Sequence, residues 1–439
     1  MLTRRSLLSL AGAAAGLSVT RLSAQRGRGG PDAVGPLPAS IAALTSMRDR
    51  ATPISMAERR ARIDKAKRLM GEQKIDAIIL AGGTSLNYFT GIRWGNSERL
   101  FAVVIPKVGN PYIVTPAFEE DRTREQLVAG PMEHTDISIY QEDESPFEKV
   151  AQGLKDRGIA TGRIGVEETT KFVFADSVGG AAPALRVTSA TPITAGCRMI
   201  KERHEIELMR LACQVTLKCY EAVFHALEPG MTQNQVSGLI GAAYGRLGFA
   251  GFASVQVGEY TALPHGSITP QTIREGTIIM IDDGCTVEGY QSDITRTFVL
   301  GKATDKMKKV FDVVHQAQSA GLRAARPGVA LEAVDAAARK VIVDAGYGPG
   351  FKYFTHRLGH GMGMDGHEWP YLVKDNMFGW DRALKAERGM VFSDEPGIYI
   401  RGEFGVRLED DMHITDGGAE LFTPQSPSIE DPFGAPKRG

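Results

Sequence analysis

The chain has 439 residues, more than one small core requires, and its length calls for two or three domains. Hydrophobic residues make up 43% and charged residues 23%, the proportions of an ordinary globular protein. With 51 basic residues against 52 acidic ones the formal net charge is −1, which removes the electrostatic case for nucleic acid or an anionic membrane surface as partner.

The amino terminus reads MLTRRSLLSLAGAAAGLSVTRLSAQ. Arg4 and Arg5 precede a small and apolar run from Ser6 to about Val19, and small residues follow at Ser23 and Ala24. This pattern predicts an export signal over residues 1–24. The stretch TRRSLL resembles a twin-arginine signal, which implies passage of the folded protein to the periplasm. Residues 25–44 read as a flexible lead-in, rich in Gly, Pro and Arg at its start. No later stretch is apolar for long enough to cross a bilayer, so a soluble mature protein is expected. The four cysteines, Cys197, Cys213, Cys219 and Cys285, have no spacing that suggests a disulfide framework or a zinc knuckle. They read as small buried hydrophobes.

From Met56 to Gln73 the stripe Ile63, Ala66, Leu69 and Met70 predicts an amphipathic helix. IDAIILAGG (75–83) reads as a buried strand. ERLFAVVIP, PYIVTPAF and RIGVEE (163–168) read as three more, with helical patterns at about 119–128 and 146–157 between them. Strands alternating with helices predict an α/β domain over residues 45–195. No G-x-G-x-x-G follows its first strand, so dinucleotide binding is unsupported.

The second half, residues 196–430, has a different rhythm. Residues 203–227 form one long helical pattern, and Thr232-x-x-Gln235 is a capping box opening another, to about 248. Strands are expected at 276–284 and 290–301. Helices follow at about 305–325 and 330–345, and then strands at 389–400 and 404–415. Helix, helix, hairpin occurs twice, which predicts a pseudo-symmetric duplication. Its register agrees: Gly276 stands six residues before Asp282, and Gly389 six before Glu395.

Each hairpin carries two acids. Symmetric pairing about a turn at Val287–Glu288 sets Asp282 opposite Asp293, and pairing about Gly402 sets Glu395 opposite Glu409. Directly opposed residues share a face, with Cβ atoms roughly 4.5–5.5 Å apart. The flanking residues, Ile278 to Ile281 and Val391-Phe392, argue for burial. Buried like charges must be protonated or bind a cation.

Three of the nine histidines, His356, His360 and His367, lie in FTHRLGHGMGMDGHE, threaded with four glycines. The i, i+4 spacing of His356 and His360 suits a helix face, but glycine disfavours helix. The segment is therefore expected as a glycine-rich strand against the hairpins. Carboxylate-rich sets with an imidazole suit hard or borderline divalent ions, manganese first and cobalt or zinc next. Four carboxylates and a histidine exceed the needs of one structural zinc and match a two-metal site.

IDDG–x8–DITRT, LPHG, HRLGHGMG–x3–HE, SDEPGIYI and GVRLED together resemble the creatinase/methionine-aminopeptidase superfamily, in its branch of proline-specific metallopeptidases. The resemblance covers about residues 55–425, more loosely in the amino-terminal part. It implies a pita-bread fold for the C-terminal domain behind a smaller creatinase-like α/β domain. It implies that Asp282 binds one metal, that His360 and Glu395 bind the other, and that Asp293 and Glu409 bridge. By the same resemblance His265 and His367 hold the scissile carbonyl and its developing oxyanion, Glu395 shuttles a proton, and His356 and Arg407 line or support the substrate pocket. The implied activity is cleavage of the bond between an N-terminal residue and proline by a metal-bridged hydroxide. The alternatives are a prolidase-type dipeptidase, a metal-free creatinase-like hydrolase and a non-catalytic binding domain. A homo-dimer or homo-tetramer acting on proline-containing peptides is expected. Met362, Gly366 and Arg357 depart from the family's usual residues around the histidines, which bears on the pocket wall.

Overall fold

The computed structural model describes residues 36–434 apart from positions 129 and 133; the expected export signal lies outside the described residues. The amino-terminal part is built on a mixed six-stranded sheet. In spatial order its strands are Asp136–Tyr140, Tyr112–Pro116, Ala102–Pro106, Ala77–Leu80, Gly162–Val166 and Leu185–Ser189. Every residue of Ala77–Leu80, Ala102–Pro106 and Tyr112–Pro116 is buried, which accounts for their continuous apolar runs. The two edge strands are partly exposed and more polar; the expected elements did not include them, because neither has a clean apolar run. Helix Met56–Gln73 is closed at its start by a reciprocal capping box between Ser55 and Glu58. Helix Thr191–Arg198 ends this layer.

Helices Arg203–Phe224 and Gln233–Leu247 open the second half, the latter with the expected box between Thr232 and Gln235. Helices Asp305–Ala324 and Leu331–Asp344 open its second repeat. The duplicated pattern is present, with a detail absent from the sequence reading: a short pair of strands precedes each hairpin. Ala250–Gly251 and Ser254–Val257 precede the first, and Gly359–Gly361 and Glu368–Leu372 the second. The histidine segment is therefore a strand against the hairpin, as its glycines require, but only Gly359–Gly361 is extended and His356 lies in the loop before it. A Cβ on Gly359 would stand 2.0 Å from the Ser393 carbonyl oxygen, so the backbones meet at a distance only glycine permits. A core of aliphatic and aromatic side chains, including Val314, Phe354, Phe392 and Leu408, joins the second-repeat helices to the second hairpin. All four cysteines are buried and unpaired.

The second hairpin pairs as expected. Tyr399 faces Gly405 and Gly397 faces Arg407, and beyond a break Asp394 faces Asp410 in the same register about Gly402. The first hairpin differs. Its turn is Glu288–Gly289 with φ of 49° and 93°, and Val287 pairs with Tyr290. Both central residues have positive φ, the requirement of the tight turn that matches strand twist, and glycine at the second place favours it. Ile281 consequently pairs with Arg296, so Asp282 lies opposite Thr295 and not opposite Asp293. Asp293 sits two residues further along, on the same face.

Asn tolerates positive φ better than Glu, and Glu288 is held at φ 49°. Glu288→Asn should raise unfolding stability by about 0.5 kcal/mol in urea titration, and Gly289→Val should lower it by more.

Candidate metal centre and the interdomain cavity

The five side chains expected as ligands come together. Asp282, Asp293 and Glu409 offer carboxylate oxygens that all lie within 4.8 Å of one another, and so do the donor atoms of His360, Glu395 and Glu409. His360 Nε2 lies 3.2 Å from Glu395 Oε1 and 3.9 Å from Asp293 Oδ2. Each repeat supplies one hairpin to the cluster, and the glycine-bounded strand supplies the imidazole between them. His360 is 1% exposed; its backbone N–H donates to Ser393 Oγ at 3.0 Å, and Ser393 Oγ donates to Glu395 Oε1 at 3.2 Å.

Such a cluster of acids is not stable by itself. Burial, reinforced by Asp282, Asp283 and the other acids around it, pushes Asp293 well above the usual carboxylate range. Burial and the neighbouring carboxylates, with Asp293 foremost, push Glu409 up in the same way. Burial also opposes ionisation of Glu395, but His360, His356 and Arg407 overcome it and hold the group at about 2. Thr295 states the problem locally. Its hydroxyl stands 2.5 Å from Asp282 Oδ1 and 2.6 Å from Glu409 Oε2, yet it has one proton to donate. Excess negative charge on a converging set of oxygen donors with one imidazole fits divalent cations of the hard or borderline class.

Around the cluster the remaining expected residues take distinct places. Arg407 is buried and directed inward: Nη2 pairs with Asp282, Nε donates to Thr295 Oγ1 at 3.0 Å, and Nη1 donates to Tyr399 Oη at 3.0 Å and to the Pro264 carbonyl at 3.1 Å. These contacts put it behind Asp282; it pairs with neither Glu409 nor Asp411. Tyr399 Oη lies 2.7 Å from His356 Nε2, and His356 Nδ1 lies 2.8 Å from the Arg357 carbonyl. A carbonyl only accepts, so His356 carries its proton on Nδ1 and Tyr399 donates to Nε2. His367 stacks on His360 with ring centroids 3.7 Å apart, and Arg357 Nη2 donates to its Nδ1 at 3.2 Å. Burial and then His360 push His367 down to about 4. It is also within ligand distance of Asp293 and His360, a proximity the spacing of residues did not reveal. His265 is on an exposed turn beyond Pro264, close enough to His367 to act on it electrostatically, and belongs to none of the ligand groups.

Thr295, Tyr399 and Ser393 were not anticipated from the sequence. Thr295 had a signal: it follows Asp293 by two and so shares its face. Asp411 had none, since only the fold shows that it caps the Asp293 backbone N–H at 3.1 Å and accepts from Cys213 Sγ at 3.1 Å.

Beside the cluster lies a cavity of about 430 Å³ between the amino-terminal layer and the second repeat. On one wall Arg198 pairs with Asp365 and Glu368, and Lys201 pairs with Glu368 at 2.6 Å. Burial opposes ionisation of Glu368, but Arg198 and Lys201 hold it below the ordinary range. His367 borders the same cavity.

Two pseudo-symmetric hairpins converging on four carboxylates and an imidazole define a metal-dependent hydrolase. The chain matches the models of metallopeptidase family M24 over residues 207–416 and of the creatinase/prolidase N-terminal domain over residues 62–200. It is 32% identical over 381 residues to the Xaa-Pro dipeptidase of Lactobacillus delbrueckii subsp. lactis, covering 84% of this chain and 98% of that protein. Among solved structures it is similar to dipeptidase PepE from Mycobacterium ulcerans, with a TM-score of 0.79 and 31% identity over 86% of this chain and 99% of that one. It is also similar to the X-Pro aminopeptidase of Thermotoga maritima, with a TM-score of 0.70 and 26% identity over 84% of this chain and 99% of that one. The chain belongs to metallopeptidase family M24, and its fold is the pita-bread domain behind a creatinase-type amino-terminal domain.

Thr295→Val removes the donor shared by Asp282 and Glu409 while keeping the side chain's volume. Removing such an outer support costs roughly 10–100-fold in metal affinity. Calorimetric titration with Mn²⁺ should show that loss with an unchanged circular-dichroism spectrum.

Proposed function

We propose that this protein is an Xaa-Pro dipeptidase holding two divalent ions, with manganese as the preferred metal. The observation that carries the reading is the convergence of Asp282, Asp293, His360, Glu395 and Glu409 from both repeats onto one point. The dipeptidase named above, matched over 98% of its length, supports a dipeptide substrate ahead of the longer peptides of an aminopeptidase. The complete ligand set weighs against a metal-free hydrolase and against a domain that only binds partners.

Ions held by these five groups would supply Lewis acidity and bring the acidity of a bound water toward neutral. The protein's own groups do the rest. Glu395, ionised at neutral pH, takes the proton of the attacking water and returns it to the leaving proline nitrogen. His367 is neutral at pH 7, and because Nδ1 accepts from Arg357, its proton is on Nε2. That N–H is free of the charge an imidazolium would bring and donates to the carbonyl oxygen as negative charge grows there. His265 lies on the open side and donates to the same region of the substrate. The line Arg407, Tyr399, His356 holds Asp282 and the pocket wall in place, and Arg407 acts through that line and not on the substrate.

The metal-free protein should regain Xaa-Pro hydrolysis on adding Mn²⁺, and Asp293→Ala should stay at least about a thousandfold below it. Run on Gly-Pro, Leu-Pro and Leu-Pro-Gly, the assay should favour the dipeptides. Preference for the tripeptide would move the assignment to an aminopeptidase, and full activity after exhaustive chelation would remove the metal mechanism. From the paired arginines and apolar run at the amino terminus we propose that the protein acts in the periplasm. Fractionation should find the protein there, and Arg4→Lys with Arg5→Lys should retain it in the cytoplasm.

A further inference from the structure

An Xaa-Pro dipeptide ends in a charged carboxylate that none of the groups assigned above receives. That carboxylate stands three bonds from the scissile carbonyl carbon, at most about 4 Å away. The proline ring holds φ near −65°, roughly fixing where the charge lies relative to the scissile bond before binding. The matching receptor is a cation with free N–H donors. Arg407 does not qualify: it is 3% exposed, and its donors go to Asp282, Thr295, Tyr399 and the Pro264 carbonyl. Arg339 does not either. It pairs with Asp335 through Nε and Nη2 and turns its other contacts to backbone carbonyls, that of His356 among them.

Arg357 has charge to spare. The residue is half-buried, with its guanidinium carbon 4.3 Å from the centre of the Tyr371 ring. Nη2 donates to His367 Nδ1 at 3.2 Å, and Nη1 donates to the Met377 thioether. A phenol ring, a thioether and a neutral imidazole bring no negative charge, and no carboxylate is among its partners in the described residues. Two of its five N–H donors are engaged. His367 ties this cation to the reacting centre: its ring stacks on His360, and it offers a nitrogen within ligand distance of Asp293 and His360. Since Nδ1 faces Arg357, Nε2 is the nitrogen left for the carbonyl oxygen. One imidazole ring therefore separates Arg357 from that oxygen, a span that suits the short distance between carbonyl and carboxylate in the dipeptide.

We infer that Arg357 receives the C-terminal carboxylate of the dipeptide and sets a preference for substrates that end at proline. The inference rests on the dipeptidase reading, because a longer peptide has an uncharged amide at the same place. The planar fork of the guanidinium suits two carboxylate oxygens at once.

Two measurements on the manganese-loaded protein decide it. The first compares kcat/KM for Leu-Pro and Leu-prolinamide, which differ in the charge of the C-terminal group. The expected preference for the free acid is about thirtyfold, falling toward unity in Arg357→Gln. Arg357→Lys should restore part of it, since an ammonium returns the charge without the fork. Any loss that comes through His367 affects both substrates alike and cancels in the ratio. The second measurement is calorimetry with L-proline and L-prolinamide, which reads the contact without turnover. Proline should bind about tenfold more tightly, and Arg357→Gln should abolish the difference. An unchanged circular-dichroism spectrum verifies that the variant is folded; if Arg357→Gln does not fold, Arg357→Met takes its place with the same expected loss. Equal handling of acid and amide by the unaltered protein, or an acid preference that survives the loss of the Arg357 charge, overturns the assignment. A fall in both substrates at constant ratio overturns it too, and leaves Arg357 as a support for His367. Proline binding that depends on Arg357, without hydrolysis of any Xaa-Pro dipeptide, overturns the proposed function and leaves the carboxylate contact standing.

Discussion

Four carboxylates within reach of one another in a buried space are the constraint on which the rest of this structure depends. Bringing them together is opposed by desolvation and by mutual repulsion, and neither relaxes without a cation or protons. The fold answers with rigid elements. Each repeat ends in a hairpin whose register presents two acids on one face, and two helices stand behind each hairpin. The strand carrying His360 enters between them because Gly359 and Gly361 let backbones approach where any Cβ would collide. Asp293 and Glu409 show how unfavourable the arrangement is without a cation, since burial and each other's charge drive both toward the protonated form. A domain that assembles this cluster carries a cost in folding that a bound cation would return.

The outer groups follow from the same constraint. Arg407 meets the negative charge of Asp282 from behind, and its remaining donors go to Thr295, Tyr399 and the Pro264 carbonyl. The Arg357 carbonyl fixes the tautomer of His356, and the Tyr399 hydroxyl donates to the ring nitrogen left bare. The charge of the carboxylates is in this way distributed over a network whose members each have a partner, which is what a low-dielectric site requires. Elsewhere the fold handles buried charge by pairing it one to one, as with Arg296 and Asp410, both fully buried. Asp394, directly across the ladder from Asp410, has neither side-chain oxygen hydrogen-bonded, and burial pushes its pKa well up.

The convergence of the five side chains was legible in the sequence because strand periodicity is strict. A residue at an even offset stays on its face, so Asp282 and Asp293 share a face even though the first hairpin turns one residue later than a symmetric reading suggests. That displacement came from the Glu288–Gly289 turn, whose positive-φ pair was present in the sequence as Glu-Gly. The second hairpin was read in correct register because Gly402 occupies the centre of its loop. The duplicated order of helices and hairpins was legible from hydrophobic rhythm. The short strands Ala250–Gly251 and Glu368–Leu372 were not, since two to five residues carry too little pattern. Nor were the contacts made across the chain's two parts. Arg198 and Glu368 are 170 residues apart, and no local signal links them.

That link has a mechanical meaning. Arg198 is the last residue of the helix that closes the amino-terminal layer. Glu368 begins the strand that pairs with the His360 strand, Gly361 against Glu368. A small tilt of the outer layer is thereby transmitted to the imidazole through one ionic joint and one backbone rung. The six-stranded sheet is then a lever arm on the alignment of the reacting centre, and loosening its packing far from any substrate would register as lost turnover before it registered as lost folding.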